Sequence, residues 1–287
     1  MPTLIIDGTH LADTLLVNEF TYPGAYTGFQ ISGNDGDDVI TVTGFTPAEI
    51  AGDAGNDTLS GDRGNDTING GSGNDVIFGG RGEDYILGGS GNDIVNAGNG
   101  NDDVFGGEGN DLLNGAGGND YLAGDHGNDT INGGSGDDFI FGTKGFNTLS
   151  GGTGNDTVNT GDHTSTADGG IGDDLIVARL KKGGDHILTG GHGADTFEFV
   201  YQTHKKSSDV VITDFELGID DLIIGGQDSQ TWLANNLAFA ATFGLDLVTE
   251  VNGNAVLNIG SNDSITFEGV SIADVQDHFE DLGIALG

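Results

Sequence analysis

One large aliphatic residue recurs at every ninth position through the middle of this chain, with mixed or polar residues on both sides of it. An apolar position of this kind, inside three residues of extended chain, predicts a short β-strand that buries one side chain and exposes its two neighbours. Two nine-residue units make one turn of a coil, so residues 18 apart are expected to stack. The predicted inward positions are Leu59, Ile68, Ile77, Ile86, Val95, Val104, Leu113, Leu122, Ile131, Ile140, Leu149, Val158, Ala167 and Ile176.

The six residues between successive strands follow a second pattern. From Gly52 to Val177 the units are variants of Gly-Gly-x-Gly-x-Asp-x-U-x, where U is the inward residue, and clear copies are Gly70–Phe78 and Gly133–Phe141. Glycines permit positive φ and close backbone approach, so we expect a tight turn whose carbonyl groups converge. The sixth-position aspartate adds an anionic oxygen. Calcium takes six to eight oxygen ligands in loose geometry, so each ion should lie between two stacked turns.

Sorting the aspartates by side gives two rows of candidate calcium ligands. The first row is Asp38, Asp57, Asp75, Asp93, Asp111 and Asp129, and it continues as Asn147 and Ser165. The second row is Asp66, Asp84, Asp102, Asp120, Asp138, Asp156, Asp174 and Asp195. Adjacent pairs allow five sites plus seven, or up to about 12 Ca²⁺. Where the first row ends, the same side carries Lys144, His163, Lys181 and Lys182. We interpret them as fixed cations in place of calcium; the alternative is a docking patch for an anionic partner.

Composition strengthens the need for a cation. The chain has 46 acidic residues against 8 basic ones, and its formal net charge of -38 opposes compaction. Its 55 glycines lose much backbone entropy on ordering. Most of the metal-free chain is therefore predicted to be disordered. Nucleic acid is not expected as a partner because phosphates would be repelled, and the absence of cysteine excludes disulfides and thiolate metal sites.

These repeats resemble the RTX (hemolysin-type) family of bacterial proteins that are exported by type I secretion. The resemblance implies an all-β fold, a right-handed parallel β-roll, an ABC transporter as export partner, and an extracellular location. It covers residues 33–198, with an amino-terminal cap at 1–32 and a carboxy-terminal α+β flanking and secretion region at 199–287. Within that region Asp209–Phe215, Gly218–Ile224 and Ile265–Ile272 resemble segments that follow RTX repeats. Short helices are expected at 228–241 and 271–279.

Enzyme motifs are missing from the sequence. It contains neither His-Glu-x-x-His nor Gly-x-Ser-x-Gly, so neither a zinc protease nor a lipase is expected. The first 20 residues have no basic segment followed by an apolar run, so an amino-terminal signal peptide is not expected either. The short architecture is similar to the nodulation-signalling NodO type of the family, which implies a non-enzymatic effector at a host membrane with cation-conducting activity. The alternative is a matrix or adhesion protein that binds exopolysaccharide.

The outward strand positions differ between the two faces of the predicted coil. One sheet is mostly polar outside, whereas the other carries an apolar stripe that includes Tyr85, Leu87, Phe105, Tyr121, Phe139, Phe141, Leu175 and Val177. Stripes of this size rarely stay in contact with water. We interpret the carboxy-terminal region, residues 199–287, as the cover of this stripe; another copy of the chain, a membrane or a glycan are the alternatives.

Overall fold

A computed structural model of the protein describes residues 3–18, 27–180, 184–201, 208–224, 227–228, 248–259 and 263–274. The described chain forms two sheets of stacked, mostly parallel strands, and successive strands alternate between the sheets. This confirms the predicted all-β parallel β-roll. No helix among the described residues is long and apolar enough to span a membrane.

The first sheet has 14 strands, six of which begin directly after the first-row aspartates. In spatial order they are β2 (Thr14–Asn18), β4 (Val39–Thr43), β6 (Thr58–Ser60), β8 (Val76–Arg81), β10 (Ile94–Asn99), β12 (Leu112–Gly117), β14 (Thr130–Ser135), β16 (Asn147–Thr153), β18 (Ser165–Ile171), β20 (His186–His192), β22 (Asp209–Ile212), β27 (Ser264–Phe267), β26 (Asn254–Asn258) and β25 (Val248–Val251). The last two strands are antiparallel to their neighbours and end the sheet.

The second sheet has 13 strands, most of which follow second-row aspartates. They are β1 (Leu4–Asp7), β3 (Phe29–Ser32), β5 (Ala48–Ala54), β7 (Thr67–Ser72), β9 (Tyr85–Ser90), β11 (Asp103–Glu108), β13 (Tyr121–His126), β15 (Phe139–Phe141), β17 (Thr157–Asn159), β19 (Leu175–Leu180), β21 (Thr196–Tyr201), β23 (Asp221–Ile224) and β24 (Gln227–Asp228). Only β24 is antiparallel to its neighbour.

The register of the strands brings the inward residues into one continuous core. Ile77 pairs with Leu59 on one side and Val95 on the other, as the 18-residue spacing predicts. All fourteen predicted inward positions are at most 1% exposed. At about 25 cal/mol per Å² of apolar surface, this column is the main favourable contribution of the strands to folding.

Both ends of the roll extend beyond the repeats. Thr14 pairs with Val39, so Gly8–Leu16 lies in register with Gly33–Thr41 and adds a coil at the amino-terminal end. Residues 42–51, which separate the isolated first repeat from the main run, also continue the coil through β5. Residues 272–274 are helical and residue 271 is not, while Asp228, the first residue of the other predicted helix, lies in β24. The remainder of the two predicted helices, 275–279 and 229–241, lies outside the described residues. The division into three domains stays a prediction.

Candidate calcium sites

The aspartates of both rows are buried at the start of their strands. Every one of the fourteen predicted ligands is at most 3% exposed, although each carries an ionisable carboxyl group. The two rows lie on opposite edges of the roll, because first-row turns lead from the second sheet into the first and second-row turns lead back. Such burial requires strong compensation for each carboxyl group.

One oxygen of each carboxylate is used to join the coils. The backbone N–H of Asp57 donates to Asp75 Oδ1 at 2.8 Å, and the N–H of Asp75 donates to Asp93 Oδ1 at the same distance. The second row repeats this, for example from Asp120 N–H to Asp138 Oδ1 at 2.8 Å. Each such bond holds two coils 18 residues apart in register.

The other oxygen has no partner. Thirteen buried Oδ2 atoms lack a hydrogen bond, six in the first row and seven in the second: those of Asp38, Asp57, Asp66, Asp75, Asp84, Asp93, Asp102, Asp111, Asp120, Asp129, Asp138, Asp156 and Asp174. Buried polar atoms are normally satisfied, and an ionised oxygen without a partner is the most costly exception. A regular row of them indicates a bound cation.

A backbone carbonyl faces the same space. A methyl group placed on Gly70 would lie 2.4 Å from Asp75 Oδ2 and 2.5 Å from the carbonyl oxygen of Gly88, which belongs to the next turn. The same pair of oxygens surrounds Gly33, Gly52, Gly70, Gly88 and Gly106 in the first row, and Gly61, Gly79, Gly115, Gly133, Gly151 and Gly169 in the second. In the remaining second-row turn, Ala97 stands five residues before Asp102.

The donor set fits calcium. Carboxylate and carbonyl oxygens from two stacked turns are the hard ligands that calcium takes in large numbers. Within the described ranges, no three carboxylate, histidine or cysteine side chains converge on one point, so a cation held there would take much of its coordination from carbonyl oxygens. The pair of oxygens surrounds five glycine positions in the first row and six in the second, and Ala97 stands at one further equivalent position.

Burial also changes the acidity of these groups. Desolvation raises the pKa of Asp57, Asp66, Asp75, Asp93 and Asp102 to about 6, and that of Asp84, Asp129, Asp138 and Asp174 to about 7. Nearby carboxylates add to the rise, while the backbone N–H bond to Oδ1 opposes it. In the absence of a cation, these carboxylate oxygens therefore take up protons near neutral pH, so protons and calcium would compete for the same oxygens.

The end of the first row is closed by hydrogen bonds within the protein. Asn147 keeps the ladder bond, since its Oδ1 accepts from Asp129 N–H at 2.8 Å, but its Nδ2 donates to the Gly142 carbonyl at 2.7 Å. The Ser165 hydroxyl donates to the Thr160 carbonyl at 3.1 Å. In the next coil, His186 stands at the position equivalent to Asn147 and Ser165. It is 1% exposed, and burial lowers its pKa. Amide and hydroxyl donors thus satisfy carbonyls that would otherwise face a cation.

Lys144 does not stand in for the missing calcium, contrary to the interpretation made from the sequence. Lys144 is exposed, and its Nζ contacts Nε2 of His126 rather than entering the turn beside Asn147. His163 lies beside Gly184 of the next coil with its Nδ1 buried and unpaired. Lys181 and Lys182 lie outside the described residues. Asn147 needs no lysine beside it, because its neutral amide bonds the Gly142 carbonyl directly and no charge has to be removed from water.

Sequence reasoning missed two further members of the ladders. At the amino-terminal end, Asp13 N–H donates to Asp38 Oδ1 at 2.7 Å, and Asp13 Oδ2 accepts from Thr9 N–H at 2.6 Å. At the other end, Asp195 N–H donates to Asp220 Oδ1 at 3.0 Å. Asp13 and Asp220 each lie 25 residues from their ladder neighbour, so a search at a spacing of 18 does not find them. For Asp13, the available signal was a glycine five residues earlier, as in the repeats.

A second, exposed ladder runs beside the buried one. Fifth-position side chains accept the backbone N–H of the next coil, as from Asn92 N–H to Asn74 Oδ1 at 2.7 Å and from Asn155 N–H to Asp137 Oδ1 at 2.8 Å. This ladder explains why the fifth position is so often Asn or Asp, a regularity that the sequence shows but that the metal chemistry does not require.

Comparison with known proteins agrees with this geometry. The family profile of the RTX calcium-binding nonapeptide repeat matches six overlapping segments, 51–86, 78–113, 105–140, 114–149, 132–162 and 141–176. A search of curated proteins returned no match, so similarity to the NodO type gains no support from a relative. The matched segments contain twelve of the thirteen unpaired carboxylate oxygens, all except that of Asp38. The chain therefore contains RTX calcium-binding nonapeptide repeats, which supports its place in the RTX family.

Proposed function

We propose that this chain is a secreted, non-enzymatic protein that folds when calcium fills its two rows of turns outside the cell. The observation that carries the proposal is the row of thirteen buried Oδ2 atoms without partners. We assign the fourteen predicted aspartates as calcium ligands, with about 12 ions in all. RTX repeats are typical of proteins exported by type I secretion, which supports an ABC transporter as the export partner.

Calcium supplies the missing counter-charge at each site. Twelve ions would add about 24 positive charges to a chain whose formal charge is -38, and so remove most of the self-repulsion. The aspartates bind the ion through Oδ2 and hold the neighbouring coil through Oδ1. Because extracellular sites of this kind bind calcium at about 0.1 to 1 mM, the chain would remain unfolded in the cytosol and fold after export.

Two places of action are proposed for the folded protein. The resemblance to the NodO type supports a host plasma membrane, with cation conduction as the activity. The outward face of the second sheet supports an extracellular polysaccharide instead, since the Asp103 carboxylate lies between the rings of Tyr85 and Tyr121 on that face. A conductance measurement in planar bilayers and a polysaccharide pull-down, both with calcium-loaded protein, distinguish the two.

The proposal of calcium-driven folding is tested by circular dichroism of the full chain. In chelator the spectrum should be that of a disordered chain, and millimolar calcium should convert it to β. Magnesium at the same concentration is the control, because it demands octahedral geometry and gives up water reluctantly. Equal folding by both ions would refute selective calcium sites.

A further inference from the structure

A file of aromatic rings crosses the outer face of the second sheet. We call Tyr85, Phe105, Tyr121, Phe139 and Phe141 the aromatic file. Neighbouring ring centroids are 5.7 Å apart between Tyr85 and Phe105, 5.5 Å between Phe105 and Tyr121, and 5.7 Å between Tyr121 and Phe139. The file spans β9 to β15, or about 14 Å at the usual spacing between strands. Its rings therefore form a continuous row of contacts that crosses four neighbouring strands.

The file is accessible to a partner. Tyr85 is 41% exposed and Phe139 is 39% exposed. The described strands of residues 199–287 do not provide the predicted cover, because they lengthen both sheets instead. At about 25 cal/mol per Å², the apolar area left in water favours a ligand that covers it.

The file also contains polar groups. Asp103 pairs in register with Tyr85 on one side and Tyr121 on the other, and its side chain is exposed on the same face. The two tyrosines add phenolic hydroxyl groups to this surface. The rings of this surface can therefore stack against apolar faces of a ligand, while the Asp103 carboxylate accepts hydrogen bonds from hydroxyl groups of the same ligand.

This combination selects among the candidate occupants. The hydrocarbon of a lipid bilayer would take the Asp103 carboxylate out of water without offering it a donor, which is costly. A second copy of the chain, or a polyanion, would bring further negative charge against a chain that stays negative even with about 12 calcium ions bound, since its formal charge without them is -38. A neutral sugar chain avoids both penalties, because its C–H faces stack on the rings and its hydroxyls donate to the carboxylate.

We propose that the aromatic file binds an uncharged, extended polysaccharide lying along the axis of the roll. The inference rests on the polysaccharide arm of the proposed function. Tyr85, Tyr121 and Phe139 provide the stacking surface, and Asp103 accepts hydrogen bonds from sugar hydroxyls. Calcium is required only because it folds the sheet that carries these groups.

The test uses the calcium-loaded full chain and three neutral probes, cellohexaose, laminarihexaose and mannohexaose, in isothermal titration calorimetry. The file variant combines Tyr121→Ser with Phe139→Ser. The matched control combines Phe78→Ser with Leu112→Ser, since these residues are 44% and 46% exposed on the outer face of the first sheet. A third variant, Asp103→Asn, removes the charge and keeps the size. Circular dichroism in calcium verifies that each variant folds.

At least one probe should bind, and the file variant should lose about tenfold or more in affinity. The control should stay within about twofold, and Asp103→Asn should weaken sugar binding. The inference is overturned if no probe binds, if the control loses as much as the file variant, or if the file residues instead drive binding to phosphatidylcholine vesicles or self-association in sedimentation. Each of these results leaves calcium-driven folding intact, which circular dichroism reports separately.

Discussion

Replacing Asp138 by Asn should remove one calcium site while keeping the roll folded. Asp138 Oδ1 accepts from Asp120 N–H at 2.8 Å, and its unpaired Oδ2 faces the same space as the Gly151 carbonyl. Asn147 shows what an amide does in this position: its oxygen keeps the ladder bond and its nitrogen donates to the carbonyl five residues earlier. The variant should do the same with Gly133.

The size of the effect follows from the lost site. At about 10 mM calcium and a dissociation constant of about 0.1 to 1 mM, one site contributes about 1.4 to 2.7 kcal/mol to the free energy of unfolding. The new internal hydrogen bond offsets about 1 kcal/mol of this loss. In chelator the sign should reverse, because the variant has no unpaired buried carboxylate at this turn.

Asp137→Asn is the matched control. It changes the net charge equally, but Asp137 is exposed and belongs to the outer ladder, where its neighbours Asn119 and Asn155 are already amides. Calcium stoichiometry by equilibrium dialysis and thermal unfolding by circular dichroism should show one ion fewer and a lower Tm for Asp138→Asn alone. If both variants bind as many ions as the parent chain, or if the control loses one, the assignment of the buried row is wrong.

Three further predictions concern other parts of the chain. Asn147→Asp should add about one calcium ion by dialysis, because it restores a carboxylate beside the Gly142 and Thr160 carbonyls; an unchanged count would contradict this. In chelator, nine of the buried carboxyls have pKa values raised to about 6 or 7, so the metal-free roll holds more protons than the unfolded chain above about pH 4, and its stability falls as pH rises through 7. Lowering the pH from 8 to 5 should therefore increase the β-structure of the chelated protein. In a calcium-containing buffer, the same change should weaken calcium binding. A loss of structure in chelator at pH 5 would refute the reasoning. Removing residues from Asn258 onward should leave the protein inside the cell, and normal secretion of this truncation would sink the predicted carboxy-terminal export signal.

Much of the fold follows from local spacing in the sequence. The period of nine places Leu59 through Ile176 inward, and a slip of one residue would expose the whole column, so the register of the repeats is strongly determined. The extra coil at Gly8–Leu16 was harder to predict, because only its glycine and aspartate remain and its spacing to Asp38 is 25 residues.

The sequence predicts which residues lie at the candidate sites, but not which hydrogen bonds these residues make. The sequence shows where Asp gives way to Asn147 and Ser165, yet it does not show that their donors turn toward the Gly142 and Thr160 carbonyls. It also suggested that Lys144 fills the gap, whereas a long side chain at an exposed third position reaches its neighbour His126 more easily. Which polar groups pair depends on the stacking of coils, which spacing alone does not describe.

We propose that calcium, held by the buried carboxylate rows, folds this chain. The decisive measurement is a titration of the chelated full chain with calcium, followed by circular dichroism and by bound-ion content in the same samples. We expect a disordered starting spectrum, a cooperative change to β at millimolar calcium, and about 12 bound ions at the end of the transition. A chelated protein that is already fully β, or one that folds while binding only one or two ions, would contradict it.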